Sequence, residues 1–311
     1  MFVTAAFAFS GTELVGLAAA ETANPRKSLP TAIKQVFWRI TLFYIVSLLI
    51  IGLCVPYTDP RLISSSSVDA SASPFVIAIK NAGINALPSI MNVVIMIAVL
   101  SVGNSSVYGS SRTLAALADQ GQAPQFFGYI DRKGRPMVGI IISALIGLLG
   151  YLAVSDAQDD AFVWMLAISG LSSIFTWASI CLTHIRFRRG WALQGHSLDE
   201  LAFVSQPGLV GSWFGLILNC LVLVTQFWVA LWPIEGKQLD TESWFSLYLA
   251  APVCLLCYLP YKLYYRTKWV RAKDMDLVTG RREMDLSSVL EEERRIKREW
   301  PWWRKCWSFF C

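Results

Sequence analysis

Phe9-Ser10-Gly11-Thr12-Glu13 interrupts an apolar run that covers residues 1–20. A run of ~20 apolar residues is what a helix needs to cross a bilayer. An ionisable side chain at the centre of such a span costs at least ~2.5 kcal/mol on insertion scales, and such groups face a cavity or a pathway. Gly11 weakens the helix at the same point. Broken helices of this kind expose backbone groups to a charged substrate at the midplane of transporters. One reading is therefore a substrate site with Glu13 as a proton-titrating gate. The other is a helix whose glycine packs closely on a neighbour while Glu13 pairs with a polar partner. The run lacks a basic leader and carries Glu13 in its centre, so it does not read as a signal peptide.

The rest of the chain supports a membrane setting. It is 55% apolar and only 16% charged over 311 residues, with a mean hydropathy of +0.48. Soluble domains carry about 25% charged residues. Thirteen tryptophans fit the same setting, since aromatic rings favour the membrane interface. The net charge of +5 lies in short clusters between apolar runs, which suits loops facing anionic lipid and excludes nucleic acid as the partner. Seven runs approach the length of a span: 1–20, 36–55, 87–107, 137–154, 162–185, 213–232 and 245–263. The expectation is an all-α polytopic membrane protein with about seven transmembrane helices over 1–263, followed by a cytoplasmic tail over 264–311.

Charge orients these spans. With the first residue outside, only Arg61, Lys80 and Lys237 of the 27 basic residues fall in outer segments. Basic residues concentrate on the cytoplasmic side, so the carboxyl terminus is expected inside. Ser73-Pro74 opens a short outer helix that Gly83 ends. Asp156, Asp159 and Asp160 make another outer loop acidic. In the tail, Leu290 to Arg298 runs acidic and then basic, as a helix with i,i+4 pairs does. The aromatic end, Trp300 to Cys311, is expected at the membrane surface.

Other clusters compete as sites. Ser101-Val102-Gly103-Asn104-Ser105-Ser106 gathers polar side chains in the third span, as either a site or a small-residue interface. Ser169-Gly170 and Ser172-Ser173 in the fifth span read as packing. Asn24 to Pro30 and Asp131 to Pro136 read as loops that anchor topology. Cys254-Leu-Leu-Cys257 has metal-ligand spacing but stands in an apolar span without a second pair. His184 and His196 are isolated, so neither metal nor cofactor is called for. Nucleotide-binding and hydrolase motifs are missing from the sequence, which argues against an ATP-driven pump.

Ala6 to Gly16, with Glu21 and Asn24-Pro25-Arg26-Lys27-Ser28-Leu29-Pro30, resembles the sixth helix and following loop of fungal amino-acid permeases. These belong to the amino acid–polyamine–organocation superfamily. The likeness extends through Val36 to Tyr44, Leu100 to Ser105, Asp131 to Pro136, His184 to Arg188, Thr279 to Glu283 and Cys311. It implies helices 6–12 of a twelve-helix inverted-repeat fold that imports amino acids with protons across the plasma membrane. By this resemblance the backbone at Gly11, with Ser10 and Thr12, meets the substrate. Phe7 and Phe9 close over it, Ser101 and Asn104 come from the eighth helix, and Glu13 couples the proton. The partners implied are an amino acid, a proton, the bilayer and trafficking machinery at the tail. Because the likeness begins at the sixth helix, the expectation is a truncated form that does not transport alone. An amino-acid sensor or permease partner without transport is the alternative, and a seven-span receptor a weaker one.

Overall fold

The structure is a computed structural model. It describes residues 2–18, 25–59, 73–84, 87–154, 158–201, 203–232 and 241–277, together with 22, 62, 279, 295, 296 and 298–302. All regular structure among these residues is helical. The order is α1 (Phe2–Phe9), α2 (Leu14–Ala18), α3 (Pro25–Cys54), α4 (Pro74–Asn81), α5 (Leu87–Asp119), α6 (Met137–Gly147), α7 (Gln158–Leu193), α8 (Gly208–Leu231), α9 (Thr241–Tyr248) and α10 (Ala250–Tyr265).

Among the described residues, four segments are long and apolar enough to cross a membrane: Ser28–Cys54, Leu87–Asp119, Ala161–Leu193 and Gly208–Leu231. The other three expected spans are built from shorter pieces, each for a local reason. The first is broken between α1 and α2. Residues 137–154 run as α6 and then tighten into a 3-10 helix over Leu148–Val154. The last expected run divides at Leu249, which still has helical dihedrals (φ −56°, ψ −31°). Pro252 lacks the N–H that would bond the Tyr248 carbonyl, and its ring crowds that carbonyl, so the ladder lapses there. Along α3 the apolar side chains point outward, with Leu53 79% and Phe43 65% exposed. Such surface is incompatible with water, whereas helices that satisfy their own backbone suit hydrocarbon. The chain is an integral membrane protein.

Contacts divide the chain into two compact units. The first comprises 1–10, 22–35 and 164–311. Its core is Val3 of α1, Leu171 and Ile174 of α7 and Ala250 of α10, with Val222 and Leu223 of α8 packed against it. The aromatic rings of Phe227, Trp244 and Tyr248 join α8 to α9 through edge-on and tilted contacts, a geometry that the ring quadrupoles favour.

The second unit comprises 11–21 and 36–163. Here α6 lies close on α5 because Gly139 has no side chain. A Cβ there would stand 2.9 Å from Ser111 Cα. Ser110 and Ser143 bond across the same pair of helices at 2.9 Å. The short helix expected after Ser73 is present as α4, with Pro74 in its first turn. Its Val76 and Ile77 are fully buried. Of the helix expected over Leu290 to Arg298, only Arg295, Ile296 and Arg298 are among the described residues.

The 131–136 loop that joins α5 to α6 is organised by one carboxylate. Asp131 Oδ1 accepts from the Lys133 amide at 2.6 Å and the Arg135 amide at 3.2 Å. Its Oδ2 accepts from Arg135 Nε at 3.1 Å and Nη2 at 2.8 Å. The Arg135 side-chain bonds, followed by the two amide bonds, hold the Asp131 carboxyl below its ordinary 3.8. A depressed carboxylate contributes order that is fully present above the ordinary value and is lost as pH falls through the lower, folded value. Asp131→Asn is therefore expected to weaken protection of the Lys133 and Arg135 amides from hydrogen exchange at pH 7. The wild-type loop should lose the same protection only at a pH below 3.8. The effect stays local, because exposed pairs contribute little to global stability.

Candidate functional site

The break lies where the sequence puts its polar residues. Ser10 to Glu13 form a turn between α1 and α2. Gly11 has φ +93°, a region that L side chains avoid because their Cβ crowds the backbone. With the helix interrupted, its i→i+4 ladder gives way to tighter bonds. The Leu14 amide donates to the Gly11 carbonyl at 3.1 Å, and the Gly16 amide to the Glu13 carbonyl at 3.0 Å. The carboxylate of Glu13 turns back, its Oε1 accepting from the Gly11 amide at 3.3 Å. An acidic side chain is thus already held at the unwound backbone by the chain itself.

On the α1 side, Ser10 Oγ meets Ser173 Oγ of α7 at 2.8 Å. Ser173 also donates to the Ser169 carbonyl at 3.1 Å. A hydroxyl has a single proton to donate, so in this arrangement Ser10 is the donor to Ser173. The Ser10 oxygen keeps its lone pairs, which suit an ammonium group. The close approach of α1 to α7 depends on Gly170, where a Cβ would stand 2.6 Å from Val3 Cγ1 and 2.7 Å from the Val3 carbonyl oxygen. The packing expected at Ser169 to Ser173 is therefore present at Gly170. Ser173, in the same cluster, touches Ser10, which sequence alone did not single out.

The remaining predicted residues are distributed along these elements. Phe7 lies in α1, and its side chain is outside the described residues. Phe9 ends α1 and is 39% exposed. Thr12 and Glu13 are half-buried. Ser101 and Asn104 are exposed on α5, where the Ser105 hydroxyl donates back to the Ser101 carbonyl at 3.0 Å. What seats α2 on α5 is Gly109, whose Cβ would stand 2.6 Å from Leu14 Cδ2. Gly109 lies five residues beyond Asn104, or about 7.5 Å along the helix. A separate open groove of about 360 Å3 runs further along α7, lined by Ser179, Ile180, Thr183, His184 and Phe187. There His184 Nδ1 bonds Ser212 Oγ of α8 at 2.6 Å.

The profile of the amino acid permease family matches residues 1–273. A general amino-acid permease of Candida albicans is 58% identical over all of this chain and 54% of that protein. The general amino-acid permease of Saccharomyces cerevisiae is 53% identical over all of this chain and 52% of its own length. The histidine permease of the same yeast is 50% identical over 96% of this chain and 50% of itself. The chain thus spans about half the length of the curated relatives it matches. No solved structure matches it. With its interrupted first span and a match over most of its length, this chain belongs to the amino acid permease family.

Proposed function

We infer that this chain supplies the broken substrate helix of a plasma-membrane permease that imports amino acids together with protons. The observation that carries the reading is the turn at Gly11, with the Glu13 carboxylate on the Gly11 amide at 3.3 Å. A zwitterionic amino acid offers an ammonium and a carboxylate. The Gly11 amide offers a donor to the second, and family likeness assigns Ser10 to the substrate as well. In the free state Glu13 occupies that donor. A proton on Glu13 removes its charge and weakens its hold, since bonds to ionised acceptors are the stronger ones. Proton and substrate carboxylate are therefore favoured together. Phe7, Phe9, Thr12, Ser101 and Asn104 complete the assignment by family likeness. The concentration of Lys and Arg supports a first residue outside and a cytoplasmic carboxyl terminus.

The test uses yeast deficient in its own amino-acid permeases. There, this chain replaces the matched segment of the Candida permease, and the chimera is expected to restore uptake of labelled amino acids that rises as the medium is acidified. Glu13→Gln should keep residual uptake but lose its dependence on external pH. A chimera that reaches the membrane and binds amino acids without moving them would overturn the transport reading in favour of a sensor.

A further inference from the structure

The end of α7 carries a contact that the substrate site does not use. Arg186 and Gly190 share one face of the helix, and Gln194, one residue past its end, continues that row, its amide bonded to the Gly190 carbonyl at 3.0 Å. Together the three span about 12 Å. Each meets the main chain of the segment that follows α10. Arg186 Nη2 donates to the Val270 carbonyl, and its guanidinium lies 4.7 Å from the centre of the Trp269 ring. Gly190 admits the Ala272 carbonyl so closely that a Cβ would stand 2.9 Å from that oxygen, with Met275 Sδ at 3.3 Å. Gln194 Nε2 donates to the Met275 carbonyl at 2.8 Å. Ala272, Met275 and Leu277 turn inward, while Arg271, Lys273 and Asp274 are exposed. The same end of α7 is fixed internally by Trp191, which is 1% exposed, bonds the Ser197 carbonyl at 2.8 Å and stacks on His196 at 4.3 Å.

We propose that residues 269–277 form a releasable latch on α7, and that the docked latch keeps α7 where Ser173 meets Ser10. The latch is held by two hydrogen bonds, one exposed and one half-buried, by the Arg186–Trp269 contact and by the side chains of Met275 and Leu277 beside Gly190, so it opens at far lower free energy than the helices unfold. The helix beneath it is continuous from Gly170 to Arg186, about 24 Å, and receives α1 at Gly170 and Ser173. A tilt at one end is therefore felt at the other.

The experiment uses the full chain in lipid nanodiscs. The first readout is tryptic cleavage after Lys268, Arg271 and Lys273, whose rate tracks the open population. The second is maleimide labelling at position 10 in a Ser10→Cys background, read by peptide mass. Gln194→Ala removes one hydrogen bond and is expected to speed cleavage roughly fivefold. Gly190→Leu collides with the Ala272 carbonyl and should speed it roughly tenfold or more. Both should raise labelling at position 10, whereas Gly147→Leu, with open space around its Cβ, should change neither. If cleavage stays at the wild-type rate in Gln194→Ala and Gly190→Leu, the latch is wrong. If cleavage accelerates while labelling does not, the coupling to Ser10 is wrong and the proposal fails.

Discussion

Gly170→Ala is expected to destabilise the first unit by about 1–3 kcal/mol, the usual range for forcing an extra methyl into a close-packed site. The sign is the informative part. In an unobstructed helix the same change gains up to ~1 kcal/mol, because alanine restricts the unfolded chain and favours helix. At Gly170 the new methyl would stand 2.6 Å from Val3 Cγ1 and 2.7 Å from the Val3 carbonyl oxygen. The side-chain methyl can rotate, but the carbonyl belongs to the backbone of α1 and moves only if α1 does. Val3 is also part of the core with Leu171, Ile174 and Ala250, so displacing α1 opens that core. It strains the Ser10–Ser173 bond as well, which lies seven residues on from Val3 and three on from Gly170. Gly103→Ala is the matched comparison, helical and with nothing within 4 Å. Thermal unfolding in nanodiscs should lower the midpoint of Gly170→Ala by several degrees and leave Gly103→Ala unchanged or slightly raised. Equal midpoints for the two would show that the approach of α1 to α7 contributes nothing.

Gly170 and Gly11 also mark what the amino-acid order reveals and what it conceals. The break at Gly11 is legible because two signals coincide. A glycine removes helix propensity, and a carboxylate in an apolar span is costly unless something receives it. The close packing near Gly170 is legible as a cluster of small residues, yet Gly170 and Ser173 differ in role. One admits a neighbouring backbone, and the other bonds Ser10. Small residues at helical spacing serve both purposes alike, so their neighbours decide. Gly109 was passed over for the same reason, since its use depends on where Leu14 falls. The division at Leu249 was hidden because hydropathy ignores the hydrogen bond that Pro252 removes. The latch on α7 left no trace at all. Its receptors read main-chain carbonyls, which every residue possesses, so Val270, Ala272 and Met275 have no distinguishing side-chain pattern. Composition made this segment look like solvated tail, whereas Gly190 holds it close.

Gly11→Ala is expected to cost the chimeric permease most of its uptake while leaving its insertion largely intact. The argument is conformational, because space is available. A Cβ at Gly11 would meet nothing closer than Leu14 Cδ1 at 3.8 Å, an ordinary contact. What alanine cannot share is the backbone angle of +93°. Holding an L residue in such a region costs of order 1–3 kcal/mol, equivalent to roughly a fivefold to hundredfold shift between conformations. The chain relieves that strain by continuing α1 towards α2, which returns the amides and carbonyls of residues 10–14 to helical partners. Continuation also takes the Gly11 amide away from Glu13 and from any substrate carboxylate. Asparagine tolerates positive φ better than alanine, so uptake should rank Gly, then Asn, then Ala, with Val lowest because its branched carbon is the least tolerant. The ranking distinguishes this account from one based on size, in which alanine would outperform asparagine. Substrate binding should follow the same order, measured on protein normalised for its amount in the membrane. Alanine matching glycine in both uptake and binding would mean that the turn at Gly11 has no part in transport.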